Sequence, residues 1–195
     1  MLRRIVSLTL LVTALAATVA MAATWTIGEG SEVVFTSKAP MESFDGKTDE
    51  VSGHITCAAG DLSGALELRI EVDLASIDTG IGMRNTHMRE RHLETDEFPL
   101  AVFTGESVVS TSSPALAPGQ TVELTVQGSF DLHGVSQPRD ITAAVTLADD
   151  GTLSVNAEFA VSLEDHDIDR PKFLVMKLAD EQQVRVSLVA RREGS

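Results

Sequence analysis

The chain has 195 residues, with 29 Asp and Glu against 15 Lys and Arg, a formal charge of −14, one cysteine and no tyrosine. That negative charge repels phosphate backbones and argues against nucleic acid as a partner. A lone Cys57 excludes an internal disulfide, and the length suits one domain with its own core.

In chain order, Arg3 and Arg4 precede an apolar run over residues 5–20 and the small-x-small site Ala20-Met21-Ala22. This pattern predicts a signal peptide over residues 1–22. Ser7, Thr9, Thr13 and Thr18 interrupt the run and no basic flank follows it. Both facts argue against a stable membrane span, which needs about 20 mostly apolar residues. Cleavage after Ala22 would leave residues 23–195 with a charge of −16, expected in the periplasm or secreted.

The mature chain then alternates. Trp25, Ile27, Val33 and Phe35 open it, residues 38–46 read as a loop, and residues 51–57 read as a short strand with Cys57 facing inward. Leu66, Leu68, Ile70, Val72 and Leu74 face one way against Glu67, Arg69, Glu71 and Asp73, the period of a half-buried strand. The stretch 73–103 breaks that period with Gly80 and Gly82, carries Arg84, His87, Arg89, Arg91 and His92, and ends at Phe98-Pro99 before a new strand. A short helix is expected only over residues 83–93.

Strands resume at Val122, Leu124, Val126, Gly128, Phe130 and Leu132, and again at Ile141, Ala143, Val145 and Leu147. Asp150-Gly151 marks a hairpin into Leu153, Val155, Ala157, Phe159 and Val161. Val184, Val186, Leu188 and Ala190 close the set. About eight consecutive strands predict an all-β domain. Long strands with charged outer faces favour a closed antiparallel barrel over a sandwich. Its inner set is aliphatic and often small, so a hollow interior holding a slender ligand and a plugged one both stand.

Candidate chemistry is sparse. His87 and His92 are five apart and miss the i, i+4 spacing of a helical zinc pair. His166 among Asp165, Asp167 and Asp169 reads as a weak cation site or as a solvated loop. A metal-dependent enzyme using such groups at a barrel mouth is the competing reading. Arg84, Arg89 and Arg91 stand beside Glu90, Glu94, Asp96 and Glu97, where mutual surface pairing is the bland alternative.

Several strings here resemble one family, the YceI-like proteins. They are Asp73-Leu74-Ala75-Ser76-Ile77-Asp78-Thr79-Gly80, Arg84-Asn85-x-His87-Met88-Arg89, Phe98-Pro99, Leu132-His133-Gly134-Val135 and Ile168-x-x-Pro171. With Trp25-x-Ile27 and Phe44-x-Gly46 they carry a resemblance that runs over about residues 24–190. The resemblance implies a lipocalin-like, eight-stranded barrel with one short helix between two central strands. It further implies an exported, non-catalytic carrier of a long apolar chain, a polyisoprenoid, fatty acid or fatty amide, without a cofactor or metal. Parity then assigns Leu68, Ile70, Val72, Leu124, Val126, Phe130, Val145, Val155, Phe159 and Val161 to the tunnel lining. Arg84 and His87 are expected at the mouth, meeting the ligand's head group. An alternative role for Arg84 ties the helix to the rim. Monomer and homodimer are both open.

Overall fold

The computed structural model describes residues 21–38, 43–173 and 176–194; the expected signal peptide falls almost wholly outside them. Twelve strands form in order: β1 (Ala23–Ile27), β2 (Glu32–Lys38), β3 (Ser43–Thr48), β4 (Val51–Ala58), β5 (Asp61–Asp73), β6 (Leu100–Thr111), β7 (Thr121–Leu132), β8 (Val135–Leu147), β9 (Leu153–Ser162), β10 (Lys172–Phe173), β11 (Met176–Lys177) and β12 (Glu181–Arg192). One helix, α1 (Gly82–Arg91), lies between β5 and β6.

Pairing is antiparallel throughout the main sheet, and β12 returns to β1, so the sheet closes. The closure has eight staves because two are composite. β12 pairs with β2 through Gln183–Ser187 and with β1 through Ala190–Arg192, so β1 and β2 are one broken stave. β3 and β4 form the next, pairing with β2 and β1 respectively. The break in the first stave is a turn in which Ser31 N–H bonds the Gly28 carbonyl at 3.0 Å. Closure removes the free edges that would otherwise invite pairing with another chain.

Two local readings are corrected by the pairing. Residues 43–46, read as the end of a loop, instead open β3, with Phe35 opposite Gly46 and Ser37 opposite Phe44. Asp45, Gly46 and Lys47 hide a strand from a hydrophobicity pattern, yet each takes its place opposite β2. A Cβ on Gly46 would collide with the Phe35 ring, so the glycine makes that close approach possible. Strand β8 likewise begins at Val135, ahead of the alternation that starts at Ile141.

Pro138 is tolerated there because β8 and β9 separate at that end. β7 pairs with all of β8, but β9 pairs with it only from Ala143 to Leu147. Across the gap, Arg139 Nη1 donates to the Ala160 carbonyl, and Gln137 Nε2 donates to Asp165 O at 2.9 Å. Side chains replace the missing ladder.

The larger of two apolar clusters includes Val122, Leu188 and Ala190, all almost wholly buried. A second cluster, with Leu74, Ile77, Leu132 and Ile168, lies at the helix end of the barrel. Trp25 sits in the far end and ties the wall by donating from Nε1 to the Gly151 carbonyl at 2.9 Å.

Candidate functional site

The barrel is hollow. Its cavity has a volume of about 1230 Å³, above the ~300–1,000 Å³ common for small-molecule pockets. All ten residues assigned by parity to the tunnel face it: Leu68, Ile70, Val72, Leu124, Val126, Phe130, Val145, Val155, Phe159 and Val161. Cys57 lines it too, and burial pushes its thiol pKa up. Parity works because these strands keep their period. It fails in β6, where register shifts after Gly105 and again after Val108 move the inward set from Ala101 and Phe103 to Val108.

The two ends differ. At the far end Leu62, Leu116 and Leu153 are buried against the cavity, and Leu116 N–H bonds the Ala59 carbonyl at 2.7 Å. The loop over residues 112–120 therefore closes the floor. At the other end lies α1. Apart from Ala65, the exposed residues among those lining the cavity are Ile81, Met83, His87 and Arg91, on α1 or just before it. This end is the mouth. Five phenylalanines, at positions 35, 44, 103, 130 and 159, line the half towards it, whereas the far half is aliphatic.

A polar frame fixes α1 across the mouth. Asp73 caps a 3-10 turn at Leu74–Ser76 by accepting from Ala75 N–H at 2.8 Å. Asp78 Oδ1 then accepts from Gly80 N–H at 2.9 Å and from Asn85 Nδ2 at 2.7 Å. Those donors, Asn85 first, hold the Asp78 carboxyl below the usual carboxylate range. Asn85 Oδ1 in turn accepts from the Thr79 hydroxyl at 2.6 Å.

Arg84 is part of this frame. Its Nε donates to Thr79 Oγ1 at 2.9 Å, its Nη2 to the Thr79 carbonyl at 2.7 Å, and its guanidinium lies 3.9 Å from the centre of the Phe44 ring. Of the two expected roles for Arg84, this geometry matches the tie between helix and rim. His87 reaches the cavity from the next turn and forms no hydrogen bond among the described residues.

Beyond the helix, His92 Nδ1 donates to the Asp169 carbonyl at 3.0 Å while its ring lines the cavity. Burial lowers its pKa. Glu94 meets His133 Nε2 at 2.9 Å, and His133 Nδ1 donates to the His166 carbonyl at 3.1 Å. Glu94, His133 and Asp167, within one residue of His166, all hold positive φ, a concentration of strain in this one cluster.

The reading of the run around His166 as a solvated loop holds for Asp165, Asp167 and Asp169, which are exposed, but not for His166 itself. His166 is 0% exposed, donates from Nδ1 to Val135 O at 3.2 Å, and packs edge-on against Phe130. Among the described residues no group of three or more His, Cys, Asp or Glu converges. Alternation missed Arg91, His92, Ser37 and Gln182, which also line the cavity. Only the helical period of α1, which places residues 84, 87, 88 and 91 on one face, could have pointed to Arg91.

Comparison with known proteins agrees with this architecture. The family model of the YceI-like domain matches residues 25–190. A polyisoprenoid binding domain from Saccharophagus degradans, implicated in plant cell wall breakdown, superposes with a TM-score of 0.69 at 21% identity, over 88% of this chain and 99% of that one. Burkholderia cenocepacia BcnA gives 0.66 at 18% identity, covering 82% of this chain and 95% of its own. The Campylobacter jejuni YCEI protein gives 0.57 at 16%, with 77% and 85% covered. No curated protein matches the chain.

Proposed function

We propose that this chain, which belongs to the YceI-like family, is a carrier that sequesters a long apolar chain, a polyisoprenoid, fatty acid or fatty amide, inside its barrel. The observation that carries the reading is the cavity itself: continuous, apolar, floored at one end and open beside α1. The likeness to the polyisoprenoid binding domain of Saccharophagus degradans supports the same ligand class.

The energetics are sufficient without a hydrogen bond. Each buried methylene contributes roughly 0.8 kcal/mol, so a sixteen-carbon chain gains about 13 kcal/mol gross. Association costs about 4–15 kcal/mol. Phe130 and Phe159 line the mouth half and Leu124 and Val145 the far half, so the width and length of the cavity would select the chain.

The leader pattern over residues 1–22 supports a periplasmic or secreted location, where such a carrier would move a water-insoluble molecule between membranes or shield it. The cavity wall presents hydrocarbon, and no chemical step is assigned to it.

Solvent extraction of the purified protein followed by mass spectrometry tests the reading. A single-chain lipid should be recovered in near-stoichiometric amount, and Val126→Trp, which places an indole in the lumen, should lower that yield several-fold with an unchanged circular dichroism spectrum. A wild-type protein that yields no lipid and takes up none when challenged would refute the carrier.

A further inference from the structure

The carrier reading, on which this inference rests, leaves open what the ligand carries at its mouth end. The chain holds nearly twice as many acids as bases, yet among the described residues no Asp or Glu lines the cavity. The charged or titratable nitrogen side chains that do line it are Arg84, His87, Arg91 and His92, all at the mouth. An excess of acid everywhere else makes this an electrostatic exception.

Helical geometry explains how the exception is built. Residues 84, 87, 88 and 91 recur at i, i+3, i+4 and i+7, so one stripe of α1 faces the lumen. Its acid, Glu90, lies off that stripe. Arg84 is committed to Thr79 and Phe44, as described above. His92 is committed through Nδ1 to Asp169. His87 and Arg91, one turn apart, form no hydrogen bond or ion pair among the described residues, although both face the lumen. The surface-pairing alternative is weakened by Glu94, whose carboxylate is turned away to His133 at 2.9 Å.

We propose that His87 and Arg91 form the head-group clamp of the carrier and make it selective for single-chain lipids that end in an anion, a carboxylate or a phosphate. The forked donors of Arg91 match either anion in two-point contact. The aromatic half of the cavity lies just beneath, so the head would rest at the rim with its chain on the phenylalanines. The negative charge of the remaining surface would not oppose entry once the head reaches this collar, because exposed charges farther than about 8–10 Å are screened at physiological salt.

The test uses the mature protein and two matched pairs of ligands: hexadecanoate against hexadecan-1-ol, and geranylgeranyl monophosphate against geranylgeraniol. Affinities are measured by displacement of a fluorescent fatty probe. Wild type should hold at least one anion about tenfold or more tightly than its alcohol. The pair showing the larger preference distinguishes a carboxylate from a phosphate ligand. Arg91→Gln should reduce that preference to within about twofold while leaving the melting temperature unchanged, and Arg91→Lys should restore part of it.

Alcohols bound as tightly as the anions by wild type would overturn the clamp and leave the apolar carrier standing. So would a preference that survives Arg91→Gln. Failure of all four ligands to bind would overturn the carrier reading and the clamp together.

Discussion

Arg84 and Arg91 show how two like residues, seven apart on one helix, separate into different tasks. Arg84 spends its donors on Thr79 and lies against Phe44, so its loss removes two hydrogen bonds and a cation–π contact. A hydrogen bond from a charged group contributes about 1.5–3 kcal/mol, and a cation–π contact at a partly exposed site about 0.5–1 kcal/mol. Arg84→Ala is therefore expected to destabilise the protein by roughly 2–4 kcal/mol in urea unfolding. Arg91→Gln should leave the same midpoint in place. Equal midpoints for Arg84→Ala and wild type would contradict the tie. The two arginines look alike in sequence, and only the position of Thr79 relative to each distinguishes them.

At the scale of elements, the mouth is an assembly of segments that are distant in sequence. The turn between β7 and β8 brings His133, the segment after β9 brings His166 and Asp169, and the segment after α1 brings His92 and Glu94. His166 is the inner member, wholly buried, with the carbonyls of Val135 and Leu132, the Arg139 guanidinium and Asp165 around it. Burial, followed by Arg139, lowers its pKa below the ordinary 6.5, against the opposing pull of Val135, Leu132 and Asp165. The unfolded chain then binds more protons at this site than the folded one, so stability rises with pH across that interval. Thermal midpoints should be level above about pH 6.5 and fall as the pH drops below it. His166→Gln should lessen the fall, leaving the part that His92, shifted the same way, contributes. An identical slope in His166→Gln would remove His166 from the account.

Legibility also follows the elements. Strands β5, β7, β9 and β12 alternate without a bulge along most of their length, and their inward sets could be read by counting in twos. β6 could not, because its register shifts carry the inward parity from Phe103 to Val108. β3 could not, because Asp45, Gly46 and Lys47 carry no apolar signal and are held by pairing with β2. The polar frame of the mouth was visible as a dense patch in residues 73–103. Its partners were not, since Asp169 and His133 reach it only once the sheet has closed.

For the molecule as a whole, the cavity replaces what would ordinarily be the centre of the core. Close packing is the rule in protein interiors, and the lining of a cavity of this size makes no protein contacts on its inner side. A bound chain supplies those contacts, and ligand and stability become linked. At a free concentration one hundred times Kd, binding to the folded state alone adds about 2.7 kcal/mol. For a chain of this length that corresponds to a rise of roughly 5–10 °C in the melting temperature of the delipidated protein.

Cys57 reports the same event from inside. It is the chain's single cysteine, it lines the cavity, and its thiol is held neutral by burial, so reaction with N-ethylmaleimide should be slow. Saturating hexadecanoate should slow that reaction several-fold further, in parallel with the rise in melting temperature. A ligand that stabilised the protein while leaving Cys57 equally reactive would sit outside the lumen. That result would move the binding site to the surface, where the grooves on the strand faces are bordered by Glu123, Glu158 and Arg185 or by Glu106, Arg139 and Asp140.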